Sequence, residues 1–485
     1  MPASAQPRHT GHRGTGAAGG ATGKVGGRVA GKVGVVGQGH VGLRLALAAA
    51  GAGFDVAGFD TDTSLIKELQ ALGAPAQLAA GQAGVSLRAA RSVSPALDGV
   101  DAALVSSALA SGRYRPTSDE ADLEGFDIGL VAVPTPVSDD GTPSTEALLA
   151  AAASLGRHLR RGAAVSVEST LYPGATAGVV APALEAASGL VAGRDFRLGY
   201  SPERIDTGNA GSAAGAAGAS GALGSLASTP KLVSGIDSRS LAVLSAFYHK
   251  LVDEVVEVEG MAEAELAKLI ENTFRQVNVA LANEIAVAAG AMGLDAAAAF
   301  DAAATKPFGY MAFRPGPGPG GRCLAGAAGH LSWAAQRAGH PLRLVEAAGQ
   351  VNASMPRRVV ARVEEALAAA GSALDGAAVL VLGLSYKPGV GETKGSAALE
   401  VANTLASLGA DVLAADPHVG DCPGLDPRAR RVDASPEPLA EAAAAADMVV
   451  LLVDHAGFDL RRIVEGARAV MDTRCRVSGP NVVRL

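Results

Sequence analysis

Cys323 closes the stretch PGPGPGGRCLAG, residues 315–326, in a chain that holds only three cysteines. A thiol at the end of a glycine- and proline-rich loop is either a nucleophile on a backbone-lined surface or a small residue in a turn. Lys268 and Asn272 stand four residues apart in AEAELAKLIENTFRQVNVALANEIAVAAGAMG (262–293). On a helix they project together, as a reactive pair or as a solvated face. Gly37, Gly39 and Gly42 in GQGHVG have the GxGxxG spacing, which permits a tight turn and lets backbone N–H groups approach a pyrophosphate. Asp60, eighteen residues after Gly42, can hold a ribose diol and, as a carboxylate, favours NAD over NADP. Thr135, Ser169 and Thr170 follow apolar runs and serve either a ligand or the turn itself.

These residues need elements to carry them. A short apolar strand, Val33 to Val36, leads into the glycine turn. A helical Ala/Leu run and a second strand, Asp55 to Phe59, follow and end at Asp60. DIGLVAVPTP (127–136) and GAAVSVESTLYPGAT (162–176) add buried strands that stop in turns, where ligands bind in an open sheet. Residues 262–293 predict one long helix, with Leu266, Ile270, Phe274, Val277 and Leu281 recurring as an apolar face. Between two sheets, such a helix could serve as a dimer spine. The stretch 377–419 repeats strand, glycine-rich turn, helix and strand without GxGxxG, which suits a mononucleotide-type ligand better than a second dinucleotide. DMVVLLVDH (447–455) and RAVMDTR (468–474) add further strands. The pattern predicts an α/β chain of two Rossmann-like doubly wound sheet domains joined by a long central helix. The expected divisions are a disordered leader (1–30), a dinucleotide domain (31–235) with a low-complexity loop at 210–229, a central helical domain (236–356) and a second sheet domain (357–485).

Composition narrows the function. The chain has 485 residues, 48% hydrophobic and 18% charged, with a net charge of −7, which argues against a general nucleic-acid binder. No apolar run is long enough to span a bilayer, and the first residues lack the apolar core of a secretory signal. Cys323, Cys422 and Cys475 are odd in number and widely spaced, so they form no disulfide framework and suggest a reducing cytoplasm. No metal is expected.

The motifs GQGHVG, AVPTP, VESTLYPGAT, SPERIDTGN, KLIENTFRQVNVALANE, TKPFGYMAFRPGPGPGGRC, LGLSYKP and VDH run in order from about residue 31 to residue 475. Together they resemble the UDP-glucose/GDP-mannose dehydrogenase family, and most closely its UDP-N-acetylhexosamine 6-dehydrogenase branch. The resemblance implies oxidation of a sugar CH₂OH to a carboxylate with reduction of two NAD, through a thiohemiacetal and a thioester on Cys323. It implies charge stabilisation by Lys268 and Asn272, and a water positioned or activated by Thr170 and Glu203. Thr135 and Lys394 become cofactor contacts, and Phe313, Gly320 and Lys387 contacts to a UDP-sugar. It further implies a homodimer or larger homo-oligomer and a role in surface polysaccharide synthesis.

The chain departs from that pattern in places. An aspartate is expected four residues after the cysteine, and Ala327 stands there. Arg322 replaces the histidine usual before the cysteine, and its charge favours the thiolate. Lys394 replaces an arginine and loses its bidentate fork. Loss of a general base commonly costs about 10²–10⁴ in rate, which would give a slowed enzyme or one that stalls as a thioester. Glu203 is the first carboxylate that could substitute. Two other readings stay open: a non-catalytic nucleotide-sugar-binding homologue, and the same chemistry on UDP-glucose or GDP-mannose.

Overall fold

A computed structural model describes residues 31–73, 100, 102–138, 140–204 and 226–485, with backbone alone at 322 and 323. The leader expected at 1–30, and the loop at 210–229 as far as residue 225, lie outside the described residues. Among the described residues there are two sheets, as the two blocks of short apolar runs predict. The first contains β1 (Lys32–Val36), β2 (Asp55–Phe59), β3 (Tyr114–Thr117), β4 (Ile128–Val131), β5 (Ala164–Val167), β6 (Arg197–Tyr200), β7 (Lys231–Gly235) and β8 (Val255–Glu257). Its order is β3-β2-β1-β4-β5-β6-β7-β8, parallel except where β7 runs against β6. The sheet therefore continues past residue 235, through β8. The second contains β9 (Ala378–Leu382), β10 (Asp411–Ala415), β11 (Arg430–Arg431), β12 (Met448–Leu451), β13 (Val470–Asp472) and β14 (Val482–Arg484). Its order is β11-β10-β9-β12-β13-β14, parallel throughout. In each sheet the first strand has neighbours on both sides reached by opposite crossovers. That leaves a crevice at its carboxyl end where ligands bind.

The strands are apolar on both faces because helices cover both faces; β4, β5 and β12 are buried along their whole length. The sheets also share a register device. Asp127, just before β4, accepts the backbone N–H of Lys32 at 2.8 Å, and Asp447, just before β12, accepts that of Ala378 at 3.0 Å.

The central helix, Met261–Ala291, joins the two cores. Met261 and Ala264 pack into the first, and Ala282, Ala286 and Ala289 into the second. Its inward face mixes Met261, Leu269 and five alanines with polar residues: Glu265, Thr273, Gln276 and Asn283 are all buried. The apolar stripe read from its sequence points the other way. Ile270 is 55% exposed, Phe274 49% and Leu281 52%. Helical periodicity identifies an apolar side but not which neighbour covers it. Among the described residues, no helix is long and apolar enough to cross a membrane.

Candidate functional site

The crevice of the first sheet is built by three glycines. Gly37 leaves β1 with φ of +93°, and a Cβ there would strike the Ala132 carbonyl. A Cβ on Gly42 would overlap the Gly37 carbonyl oxygen, so only glycine lets the first helix (His40–Gly51) sit on the turn. Around Gly39, at the helix N-cap, an added Cβ would meet open space. The cradle is thus tight underneath and open above. Asp60 follows β2, half-buried, and accepts the backbone N–H groups of Gln38 at 2.7 Å and Asp62 at 2.9 Å. The wholly buried Gln38 side chain accepts the Tyr114 hydroxyl at 2.7 Å and fixes the turn from below.

The cysteine loop is held by the second sheet. Gly320 and Gly321 have φ of +61° and +76°, a region glycine enters freely. Side chains there would strike Tyr386. The backbone N–H of Gly321 donates to the Gly395 carbonyl at 3.0 Å. Gly321 caps the helix Arg322–Arg337, so Cys323 lies in its first turn, where the helix dipole favours an anion. Ala327 follows one turn later and is 1% exposed. Next on that helix, the buried His330 meets the Thr135 carbonyl through Nε2 at 3.0 Å, so Nε2 carries the proton. Burial lowers the His330 pKa.

Further bonds gather the remaining residues. The Thr135 hydroxyl donates to the Thr170 carbonyl at 2.6 Å. The Ser169 hydroxyl donates to the Val133 carbonyl at 2.7 Å and accepts the Val133 N–H at 3.0 Å, so Ser169 serves the turn. The loop after Thr170 is tied to the central helix by Glu265, which accepts the Gly174 and Thr176 N–H groups and the Thr176 hydroxyl. Burial raises the Glu265 pKa, and these donors partly offset it. Lys268 and Asn272, both half-buried, follow on that helix. Glu203, half-buried, is anchored there through its neighbour, since Arg204 pairs with Glu271 at 2.7 Å.

Phe313, Gly320 and Lys387 line one pocket of about 240 Å³ between the central helix, the cysteine loop and the second sheet. Arg275, Arg314 and Arg474 share its wall, which suits a diphosphate. Lys394 is exposed, on the loop that follows β9. Its N–H donates to Glu392 at 2.7 Å, and Glu392 stands 4.0 Å from His40 beside the glycine turn.

Comparison with known proteins agrees with this layout. The chain matches the UDP-glucose/GDP-mannose dehydrogenase family in three places: its NAD binding domain over residues 89–214, its central domain over 262–354 and its UDP binding domain over 380–482. It is 33% identical over 388 residues to a UDP-N-acetyl-D-glucosamine 6-dehydrogenase of Pseudomonas aeruginosa, covering 80% of this chain and 83% of that one. The chain belongs to the UDP-glucose/GDP-mannose dehydrogenase family. A UDP-N-acetyl-D-mannosamine dehydrogenase of Pyrococcus horikoshii is 29% identical over 427 residues, covering 88% of this chain and 90% of the relative. The solved structure of a UDP-D-ManNAc dehydrogenase from that organism superposes with a TM-score of 0.76 at 26% identity, covering 93% and 98% of the two chains. A UDP-glucose dehydrogenase from Pyrobaculum islandicum gives 0.75, also at 26% identity, covering 94% and 96%. The cofactor of this dehydrogenase is NAD, and the open cradle at Gly39 with Asp60 beside it fits a dinucleotide.

Several residues of the dehydrogenase site escape a reading of the sequence. Asn283, buried in mid-helix, accepts the Gly316 N–H at 2.8 Å and donates to Asn352 at 3.1 Å, holding the cysteine loop from behind. Its signal was an asparagine in a run of alanines. Glu265, His330 and the three arginines carried no local signal, because their partners lie in other elements.

Proposed function

We propose that this dehydrogenase oxidises the C6 hydroxymethyl of a UDP-N-acetylhexosamine to the carboxylate through Cys323. One observation carries the reading. The loop 383–396 meets the nucleotide pocket through Lys387, the cap of the cysteine helix through Gly395, and the glycine turn through Glu392. These contacts support a reading in which substrate, thiol and cofactor sites meet at one segment. The choice of sugar follows the names of the relatives above.

The residues divide the work as follows. Lys387 and the arginines of the pocket hold the diphosphate, with Phe313 and Gly320 against the nucleotide sugar. NAD, when bound, supplies the hydride acceptor, and the full oxidation uses two. Loss of the first hydride from C6, with the hydroxyl proton released to water, turns the hydroxymethyl into an aldehyde. The Cys323 thiolate adds to that carbon to form a C–S bond, and loss of the second hydride leaves a thioester. Lys268 and Asn272 donate to the C6 oxygen while it carries negative charge. Thr170 and Glu203 hold a water against the thioester. Its oxygen bonds to C6, the C–S bond breaks and its proton passes to Glu203.

The buried Ala327 favours a second form of this reading, in which hydrolysis is slow or the chain only binds the nucleotide sugar. The exposed stripe of the central helix supports a homodimer, since fully burying one such side chain is worth about 1.5–3 kcal/mol. A cytoplasmic role in surface polysaccharide synthesis fits this chemistry.

The test is to mix the purified chain with NAD and UDP-N-acetylglucosamine and count NADH per subunit. Sustained release beyond two per subunit is expected for the working enzyme, and Cys323→Ser abolishes it. A stop at or below two, with sugar binding intact, supports the impaired form, and Ala327→Asp should then speed turnover. Faster turnover with UDP-glucose or GDP-mannose would overturn the choice of sugar.

A further inference from the structure

Lys231, the first residue of β7, is 2% exposed, and its partner Glu168, just after β5, is 1% exposed. The Lys231 ammonium donates to Glu168 Oε2 at 2.5 Å, to the Pro202 carbonyl at 3.0 Å and to the Ser201 carbonyl at 3.3 Å. Those three bonds use all of its N–H groups. The two carbonyls belong to the residues directly before Glu203, whose own N–H faces the Glu168 carbonyl at 3.5 Å. The other Glu168 oxygen accepts the Tyr248 hydroxyl, which also meets the Ser166 hydroxyl at 2.8 Å. Burial raises the Glu168 pKa, with Lys231 and Tyr248 opposing the shift and Glu203 adding to it.

A buried ion pair is a poor source of stability, because desolvating two charges costs about as much as their attraction returns. Its use lies in where it points its donors. Here a rigid pair spans the ends of β5 and β7 and grips two consecutive carbonyls of the segment between them in space. We propose that the Lys231–Glu168 pair is a positioning device that sets Glu203 against the water hydrolysing the thioester. This rests on the reading of Glu203 given above. The pair is closed off from solvent and acts through the backbone it holds. It acts only on the last step, in which water oxygen bonds to C6, the C–S bond breaks and the water proton moves to Glu203.

The experiment follows covalent turnover in the full chain with NAD and UDP-N-acetylglucosamine. NADH formation is read in the first turnover, and loss of the sugar adduct from the enzyme is read by intact mass after quenching. Lys231→Met leaves Glu168 buried without its cation, which threatens folding itself, so the deciding variant is Lys231→Met/Glu168→Gln, which removes both charges at similar volume. The double variant should fold with a melting temperature lowered by the lost bonds to the Ser201 and Pro202 carbonyls, and should keep its first-turnover NADH rate. Its adduct should decay about 10–100-fold more slowly, the scale of an ångström-sized misplacement of a reacting group. Equal slowing of both phases, or decay at the wild-type rate, would overturn the proposal. Glu203→Gln separates the two layers: if its adduct decays normally, the reading of Glu203 fails and this inference falls with it. If Glu203→Gln stalls while the double variant does not, the positioning role alone is lost.

Discussion

The two sheets start in the same way and end with opposite uses for the same residue. β1 and β9 are each followed by a glycine of positive φ, Gly37 and Gly383, whose N–H donates to the last residue of the neighbouring strand at 2.9 and 2.8 Å. β2 and β10 are each followed by an aspartate, Asp60 and Asp416. Asp60 stays half-exposed above an open turn. Asp416 is 4% exposed and fully engaged. It accepts the N–H groups of Leu384, Ser385, His418 and Val419 and the Nε2–H of His455. His455 Nδ1 in turn accepts the Gly389 N–H at 3.2 Å. In the first sheet the aspartate keeps part of its surface exposed beside the glycine turn. In the second it has become a structural knot that sets the loop carrying Lys387. Topology supplies a crevice in both places, and both acids bind backbone N–H groups; the number of those bonds decides how much of the acid stays exposed.

The largest test of that division is Gly42→Val, whose side chain would overlap Gly37. NAD binding, followed by titration of NADH fluorescence, should weaken about 100-fold or more, while UDP binding stays unchanged. A parallel loss of UDP affinity would break the comparison. Asp416→Asn comes next and should cost about 3–5 kcal/mol in denaturant unfolding, because it leaves buried partners unpaired. Asp60→Asn should cost under about 1 kcal/mol and admit NADP.

The pH response sharpens the same contrast. Burial pushes Asp416 up, but His455 and the backbone donors outweigh it and hold the carboxyl at about 2. An unfolded aspartate titrates near about 3.9, so this contribution of about 2–3 kcal/mol is whole above that pH and disappears as pH falls toward 2. Between about pH 4.5 and 2.5 the wild type should lose more unfolding free energy than Asp416→Asn, the difference being this contribution, since other paired carboxylates such as Asp426 titrate in both proteins. Lys387→Ala should raise KM for the UDP-sugar about tenfold or more and leave KM for NAD alone. The smallest effect is expected from Lys394→Arg, a fall of about two- to threefold in KM for NAD, in keeping with an exposed side chain.

Much of this was legible locally. GxGxxG with Asp60, the strand runs of both sheets, the long helix and the cysteine loop are all contiguous patterns, and the structure places them in the expected elements. Lys387, distant in sequence from Phe313 and Gly320, shares one pocket with them. Ser169 went to the turn instead, because Val133 offers it both a donor and an acceptor. The orientation of the central helix was not legible, since an apolar stripe looks the same whether this chain or another molecule covers it.

The sequence by itself determined the fold class, the dinucleotide turn and the residues with reactive side chains, because steric rules and side-chain chemistry act over a few residues. Only the tertiary structure decided that Asp416 is a knot while Asp60 is not, that Asn283 and Glu265 hold the cysteine and threonine loops, and that Lys231 grips the backbone before Glu203. Those are long-range hydrogen bonds, and their partners become neighbours only when the sheets and the central helix have packed.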